Sequence, residues 1–399
     1  MLTDKLMRHA DFEWATKPNR IVLNIFGLWP NVRENPRDRF FSNLRVIFTF
    51  VIFVFTGVTP AIHSVVRIWG DLMSMIDNLQ TILPCIMTII GLVVIWWKKP
   101  DLLLAISMIA EDWIKIKSDK ERCIMIKHAQ YARILTLIGY SYMFLSACLL
   151  VLLPFFGKSV RYMTNVTDPD KILPLQSHYI YDKNQSPYFE FSYFTQSLMV
   201  VMCTACYSSM DNLFGLLVFH LCGQLENLKD KLINKNIYEN DNKTVAFIVK
   251  EHIRLIEYVH IIENIFTLLL LGFFVYIGLL CSLYGFLIIA ILKEGKKMSI
   301  MRFIYITSVA INVSGHMCLL CAVSELLVAK SESIYHAAYE HEWYKLKPEK
   351  AKCLLLIMVR AKKPFYIMAG KIIPMTLSTF CNLIKTSASY VSVLIAIQN

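Results

Sequence analysis

The sequence is short of charge. Only 18% of its 399 residues are Asp, Glu, Lys or Arg, against about 25% in soluble domains. Hydrophobic residues make up 56% and the mean hydropathy is +0.49, which points to a membrane protein. It also lacks an apolar core near its start. Residues 1–45 carry Asp4, Asp11 and Glu13, so no cleavable signal peptide is expected and the first spanning helix is the first insertion signal. There is no P-loop, no G-x-S-x-G and no paired intramembrane carboxylate, so neither enzyme activity nor a cofactor is expected. None of the eleven cysteines falls in a predicted outer loop, which excludes a disulfide framework on the exterior. Cys203/Cys206 and Cys318/Cys321 have C-x-x-C spacing but sit inside apolar runs, where they read as small packing residues. His336, Glu340 and His341 lack the H-E-x-x-H spacing of a zinc helix, and no metal is expected.

What is present is a series of long apolar runs. Seven reach the about 20 residues a spanning helix needs: Val46–Val66, Ile76–Trp97, Ile134–Phe156, Phe194–Phe219, Ile265–Leu292, Phe303–Val328 and Met375–Ile397. The expected fold is therefore an all-α membrane protein with seven transmembrane helices and cytoplasmic helical extensions. The fifth run holds Gly272, Gly278 and Gly285, small residues of the kind that let helices approach closely in lipid. The basic residues follow the spans. The N-terminus and loops 2–3, 4–5 and 6–7 hold 31 of the 41 Lys and Arg, the other three loops hold 9, and Lys385 is the remaining one. Positive residues mark the cytoplasmic face, so residues 1–45 are expected inside and the C-terminus outside. This distribution also explains the basic excess without nucleic acid.

Outside the spans, residues 157–193 form the one long extracellular loop. It carries Asn165-Val166-Thr167 and Asn184-Gln185-Ser186, glycosylation acceptors by pattern. In residues 220–264, which continue inward from the fourth span, Leu221, Leu225, Leu228 and Leu232 extend the spacing of Phe214 and Leu217. That is an amphipathic helix whose stripe must be covered by this chain's own inner helices or by another subunit. The stretch around Leu221, Leu225 and Leu228 is expected to help hold subunits together. In residues 329–374, Ser331 is expected to cap a helix that runs to about Lys347 and stops at Pro348. Asp211, His316 and Glu325 are polar groups within spans, scattered over two helices. Such groups are functional candidates.

The last span, within residues 375–399, is unusual. Ser378, Asn382, Lys385, Ser389, Ser392 and Ala396 recur at spacings of four and three, which is one helix face. In lipid this face must be hidden, either within the chain's own bundle or around water. Copies arranged around an axis would give it a pore.

The segments "SESIYHAAYEHEWYKL" and "KPFYIMAGKIIPMTLSTFCNLIKTSASYVSVL" resemble the C-terminal signature of insect odorant receptors. The seven spans and the inside N-terminus resemble that family over the whole chain, with the specific motifs in the last seventy or so residues. In the related gustatory receptors the last span usually carries Thr-Tyr…Gln-Phe, whereas here it reads Ser389-Tyr390-Val391-Ser392-Val393-Leu394. The resemblance implies a heterotetrameric odorant-gated cation channel. In it a tuning subunit joins a common odorant co-receptor in the plasma membrane of olfactory sensory neurons. Residues 220–264 lack the co-receptor's long insert, so this chain resembles a tuning subunit. The resemblance makes residues 329–374 part of a cytoplasmic anchor and 375–399 pore-lining. Ser389, Ser392, Val393, Ala396 and Ile397 then fall at the pore, with Val393 and Ile397 as gate. Ala396 stands where the co-receptor has Gln. The resemblance also places the odorant pocket in the outer halves of spans two, three, four and six. There lie Met73 and Ile76; Ala147, Leu150 and Val151; Tyr193, Gln196, Ser197 and Val200; and Tyr305, Ser308, Val309 and Asn312.

Two other readings compete. A G-protein-coupled receptor would place its N-terminus outside, against the charge distribution, and the Asp38-Arg39-Phe40 triplet precedes the first span. A transporter would usually show internal repeats with broken helices, and none is visible.

Overall fold

The computed structural model describes residues 2–31, 35–115, 118–158, 171–179, 181–234, 242–294, 300–341 and 343–398. Side chains at 2–6, 72–73, 234, 242–244, 290–294, 300–302, 304–305 and 394–398 lie outside that description. Capping residues and prolines set many of the helix starts. Pro36 opens α2 (Pro36–Ile52), and Pro348 opens α10 (Pro348–Ala361) at the first helical position, where a missing N–H costs nothing. The Asp71 carboxylate accepts from Ser74 N at the head of α4 (Leu72–Trp97). The Ser118 hydroxyl does the same for Glu121 N at the head of α6 (Asp119–Phe155). A π turn at Phe53–Val58 joins α2 to α3 (Thr59–Arg67) just before Pro60, whose ring offers no N–H to the preceding turn. The remaining helices are α1 (Leu2–Ile25), α5 (Lys99–Ile114), α7 (Tyr188–Asn234), α8 (Asn242–Glu294), α9 (Ile300–Glu340) and α11 (Leu377–Gln398).

Among the described residues, six helical stretches are long and apolar enough to cross a membrane: Pro36–Arg67, Ser74–Trp97, Asp119–Phe155, Tyr188–Ile233, Val245–Ile289 and Ile306–Glu340. They correspond to the first six expected spans. The seventh, α11, has 22 helical residues. At about 1.5 Å per residue that is long enough for a hydrocarbon core of about 30 Å. The protein is an all-α, multi-pass membrane protein, and its only strand pairing among the described residues is a short hairpin.

The spanning helices continue past the membrane-length runs and pack against α1, α5 and α10. Two buried polar clusters tie these extensions together. Asp112 of α5 meets His220 Nε2 of α7 at 3.1 Å and Arg254 of α8 at 2.8 Å. Burial pushes its carboxyl up, but the bonds to His220 and Arg254 outweigh this and hold it well below the usual carboxylate range. Glu226 of α7 meets His128 of α6 at 2.9 Å and Lys330 of α9 at 2.6 Å.

The leucine stripe is committed inside the chain, which corrects the expectation that it holds subunits together. Leu221, Leu225 and Leu232 are fully buried, and Leu228 nearly so, in the single chain. Long helices fold back on one another and leave no stripe for a partner. Leu225→Asp is therefore expected to damage the fold itself, by about 3 kcal/mol or more. The check is the monodisperse fraction of the solubilised chain expressed alone. A normal profile would show that the stripe is not core.

The Ser331 cap is also corrected. Helix α9 runs through Ser331 to Glu340. The Ser331 hydroxyl donates to Val328 O at 2.8 Å and accepts from Phe365 N at 2.9 Å. It fastens the chain after α10 onto α9 rather than starting a helix, and Pro348 begins a helix rather than ending one. Two strands follow, β1 (Met368–Ala369) and β2 (Ile373–Pro374), paired antiparallel. Gly370 and Lys371 between them both have positive φ, as a tight primed hairpin turn requires. Thr267 of α8 anchors the hairpin by accepting from Lys371 N and Gly370 N and donating to Met368 O.

Candidate functional site

Helix α8 has two working faces. Tyr276, Ile277, Leu280 and Tyr284 line a cavity. Gly278 and Gly285, two turns apart, receive α11. A Cβ at Gly278 would lie 3.0 Å from Leu383, and one at Gly285 would lie 2.7 Å from Val391. Ser387 donates to Gly278 O at 3.3 Å. These glycines therefore let α11 lie close along α8. Its buried face is Leu383, Ser387 and Val391. Its opposite face is exposed at Ser378, Asn382, Lys385, Ser389 and Ser392. The polar face of the last helix is thus not hidden in the chain's own bundle. Val393 is 56% and Tyr390 60% exposed on the same side. The side chains of Ala396 and Ile397 lie outside the described residues.

The cavity occupies about 200 Å³ among α4, α6, α7, α8 and α9. Its walls are largely apolar: Leu150, Met199, Val200, Ile277, Leu280 and Val309. Most lining hydroxyl and thiol donors are already committed. Thr81 donates to Asn78 O, Thr88 to Pro84 O and Thr204 to Val200 O, at 2.8, 2.8 and 2.6 Å, while Cys203 donates to Thr88. These groups keep only acceptor capacity. Asn312 makes no hydrogen bond among the described residues, so its amide can meet a guest as donor or acceptor. At the floor, the Tyr207 hydroxyl is 3.1 Å from His316 Nδ1. His316 Nε2 lies 2.8 Å from Asp211 Oδ2, not aligned as a hydrogen bond. Asp211 and His316, scattered in sequence, therefore meet.

The expected pocket residues divide. Ala147, Leu150, Val200, Val309 and Asn312 line the cavity. Six others do not. Ile76 packs with Phe286 and Val391 where α4, α8 and α11 meet. Tyr193 donates to Val151 O and tethers α7 to α6. Ser197 donates back to Tyr193 O at 2.7 Å, and Ser308 O accepts from Tyr142 at 3.3 Å. Gln196 is fully buried, and its amide holds the outer loop by accepting from Leu175 N and donating to Ser177 Oγ and the Tyr179 hydroxyl. That loop lays Leu175 over the cavity. The side chains of Met73 and Tyr305 lie outside the described residues, as does Asn165. Asn184 sits half-buried in the outer loop. Span five was missed altogether. Its Tyr276, Leu280 and Tyr284 repeat at four-residue spacing, a signal shared by any buried helix face.

Together these features define a multi-pass helical membrane protein that has a mainly apolar cavity among its helices and presents a polar face on its last helix. The model of the 7tm odorant receptor family matches residues 71–388. The chain belongs to the insect odorant receptors. It is 28% identical over 225 residues to Odorant receptor 10 of Aedes albopictus, a match covering 55% of this chain and 58% of that relative's length. It is 24% identical over 296 residues to Odorant receptor 30a of Drosophila melanogaster, covering 72% and 74%. Among solved structures, the insect olfactory receptor OR5 of Machilis hrabei in complex with eugenol superposes with a TM-score of 0.81 over 96% of this chain and 98% of that one. Its 14% sequence identity makes this a likeness of fold.

Proposed function

We propose that this chain is a tuning subunit. It binds a small volatile odorant in the cavity and gates a non-selective cation channel as a heteromer with the odorant co-receptor. It does so in the plasma membrane of olfactory sensory neurons, with the N-terminus in the cytosol. The observation that carries this reading is the mainly apolar cavity among the helices, with few uncommitted polar groups, which suits a small, weakly polar guest. A fold relative solved with eugenol supports a ligand of that size. Helix α8 connects ligand to pore, because its cavity face and its α11 face are rigidly one helix. The test is co-expression with an insect odorant co-receptor, with currents recorded across an odorant panel. Absence of any evoked current at confirmed surface expression would reject the reading.

Within the cavity, Asn312→Leu is expected to reorder odorants by the number of polar groups they carry, with about 1–3 kcal/mol of discrimination at stake. Gln196→Leu loosens the outer loop instead and is expected to weaken all odorants together. Rank order against midpoint concentration separates the two. An unchanged order for Asn312→Leu would remove that residue from recognition.

Assembly uses another surface. On α10, Leu356 and Val359 are 69% and 71% exposed on one face, and Ile372 of the hairpin is 75% exposed. On the cytosolic side, large apolar groups of this kind mark a contact. The pair Leu356→Asp and Val359→Asp is expected to lower co-purification with the co-receptor several-fold while leaving the single chain monodisperse. Full recovery of complex would place the contact elsewhere.

A further inference from the structure

Helices α6 and α9 both pack on α7 but have little contact with each other. The gap between them is a second cavity of about 260 Å³. Its rim carries Ile138, Ile311 and Leu319, which are 60%, 68% and 48% exposed. On a spanning helix such side chains face lipid. Its floor is polar, for Asp211 Oδ1, Asn212 Nδ2 and His316 Nε2 are buried there without hydrogen-bond partners among the described residues. Buried polar atoms left without a hydrogen bond at that depth are costly unless something passes or rests against them. Gly215 and Gly315 face open space, since a Cβ added at either would meet nothing within 4 Å. The gap adjoins the cavity, because Tyr142, Met143, Asn312 and His316 line both. Tyr142 is 38% exposed, and its hydroxyl reaches α9 only through a long bond to Ser308 O at 3.3 Å.

We propose that this cleft is the route by which the ligand enters the cavity sideways from the bilayer, with Tyr142 as the threshold between the two chambers. The inference rests on the cavity's being the odorant site. The traveller is a small apolar molecule with one polar group. It dissolves among acyl chains, slides past the isoleucine rim, and brings its polar group first to the Asp211–His316 floor and then to Asn312. The route needs no opening of the outer loop that Gln196 holds shut.

The test is rapid ligand application to the heteromer with the co-receptor, measuring time constants of onset and washout. Gly315→Leu fills the cleft from a position with free space. It is expected to slow onset and washout together by roughly tenfold, a passage barrier raised by about 1.4 kcal/mol. The midpoint concentration should hardly move, because entry and exit share one path. Gly315→Ala should behave as wild type, and Tyr142→Phe, which loses the bond to Ser308, should speed both phases. If Gly315→Leu fails to reach the surface, Gly315→Cys treated with an apolar thiol reagent after delivery gives the same comparison, with wild type treated in the same way as control for its own free cysteines. Wild-type rates in the filled cleft would overturn the route and leave the cleft to a resident lipid chain. A shifted midpoint in Ala147→Leu alongside those unchanged rates would keep the odorant cavity while rejecting the cleft.

Discussion

A Gly285→Leu chain is expected to reach the membrane and bind its partners, yet to carry little odorant-evoked current. A Cβ at position 285 would lie 2.7 Å from Cγ2 of Val391, closer than real carbon atoms approach. Val391 is β-branched, so it has few rotamers in a helix with which to yield. Either α11 tilts away from α8 or the two helices shift in register. Overpacking of this kind costs about 1–3 kcal/mol, and about 1.4 kcal/mol already changes a closed-to-open ratio tenfold. The damage falls on the joint between the cavity-lining helix α8 and the last helix α11, not on the cavity. Rescue gives the sharper test. Gly285→Ala combined with Val391→Ala removes the one γ-carbon that would collide, Cγ2, and leaves the nearest remaining atom, the Val391 Cβ, at 3.8 Å. Current should return in the double variant. Should Gly285→Leu conduct normally at matched surface expression, close α8–α11 packing is not needed for gating.

Val393→Ser is expected to raise current in the absence of odorant. Val393 sits on the exposed side of α11 near Ser389 and Ser392, 56% exposed in the single chain. If copies of this face surround an axis, a ring of apolar side chains at Val393 stops ions by dewetting. A hydroxyl there lowers the barrier to water, and ions follow. In the proposed heteromer the rise should be partial, because co-receptor subunits would contribute their own side chains to the ring. Lys385 lies two turns earlier on the exposed face. A cation there repels permeating cations at close range, which fits a wide part of the path or a subunit contact better than a constriction. Basal current and ion selectivity, recorded at equal surface expression, decide the matter. If both stay at wild-type values, Val393 faces lipid or a neighbouring subunit.

The two predictions rest on different kinds of information. The exposed polar face of α11 was legible in the sequence, because a helix repeats every 3.6 residues and Ser378, Asn382, Lys385, Ser389 and Ser392 keep that period. The glycine joint was half legible. Gly278 and Gly285 announce a close approach, but nothing in their spacing says that α11 is what approaches. The cavity was the least legible. Ala147, Leu150, Val200, Val309 and Asn312 lie where the family resemblance puts a pocket. Gln196 and Ser197 lie there too, and their side chains serve the outer loop and the helix backbone instead. A polar residue in a span is marked by its chemistry, but whether it faces a guest, a loop or its own carbonyl depends on rotations of tens of degrees about the helix axis. Composition does not carry those angles.

By itself the sequence determined the membrane class, the number and length of the spans, the cytoplasmic face and the polar stripe on the last helix. Each of these follows from one-dimensional quantities, namely hydrophobic run length, charge distribution and helical period, which the bilayer reads directly. Only the tertiary structure decided that the leucine stripe of α7 is core, that Ser331 fastens rather than caps, that α8 joins the cavity to α11, and that Asp211 meets His316. These depend on which helix faces lie against one another. In a bundle whose helices are apolar on most sides, hydrophobic pattern does not choose among faces; steric fit and the pairing of buried polar atoms do.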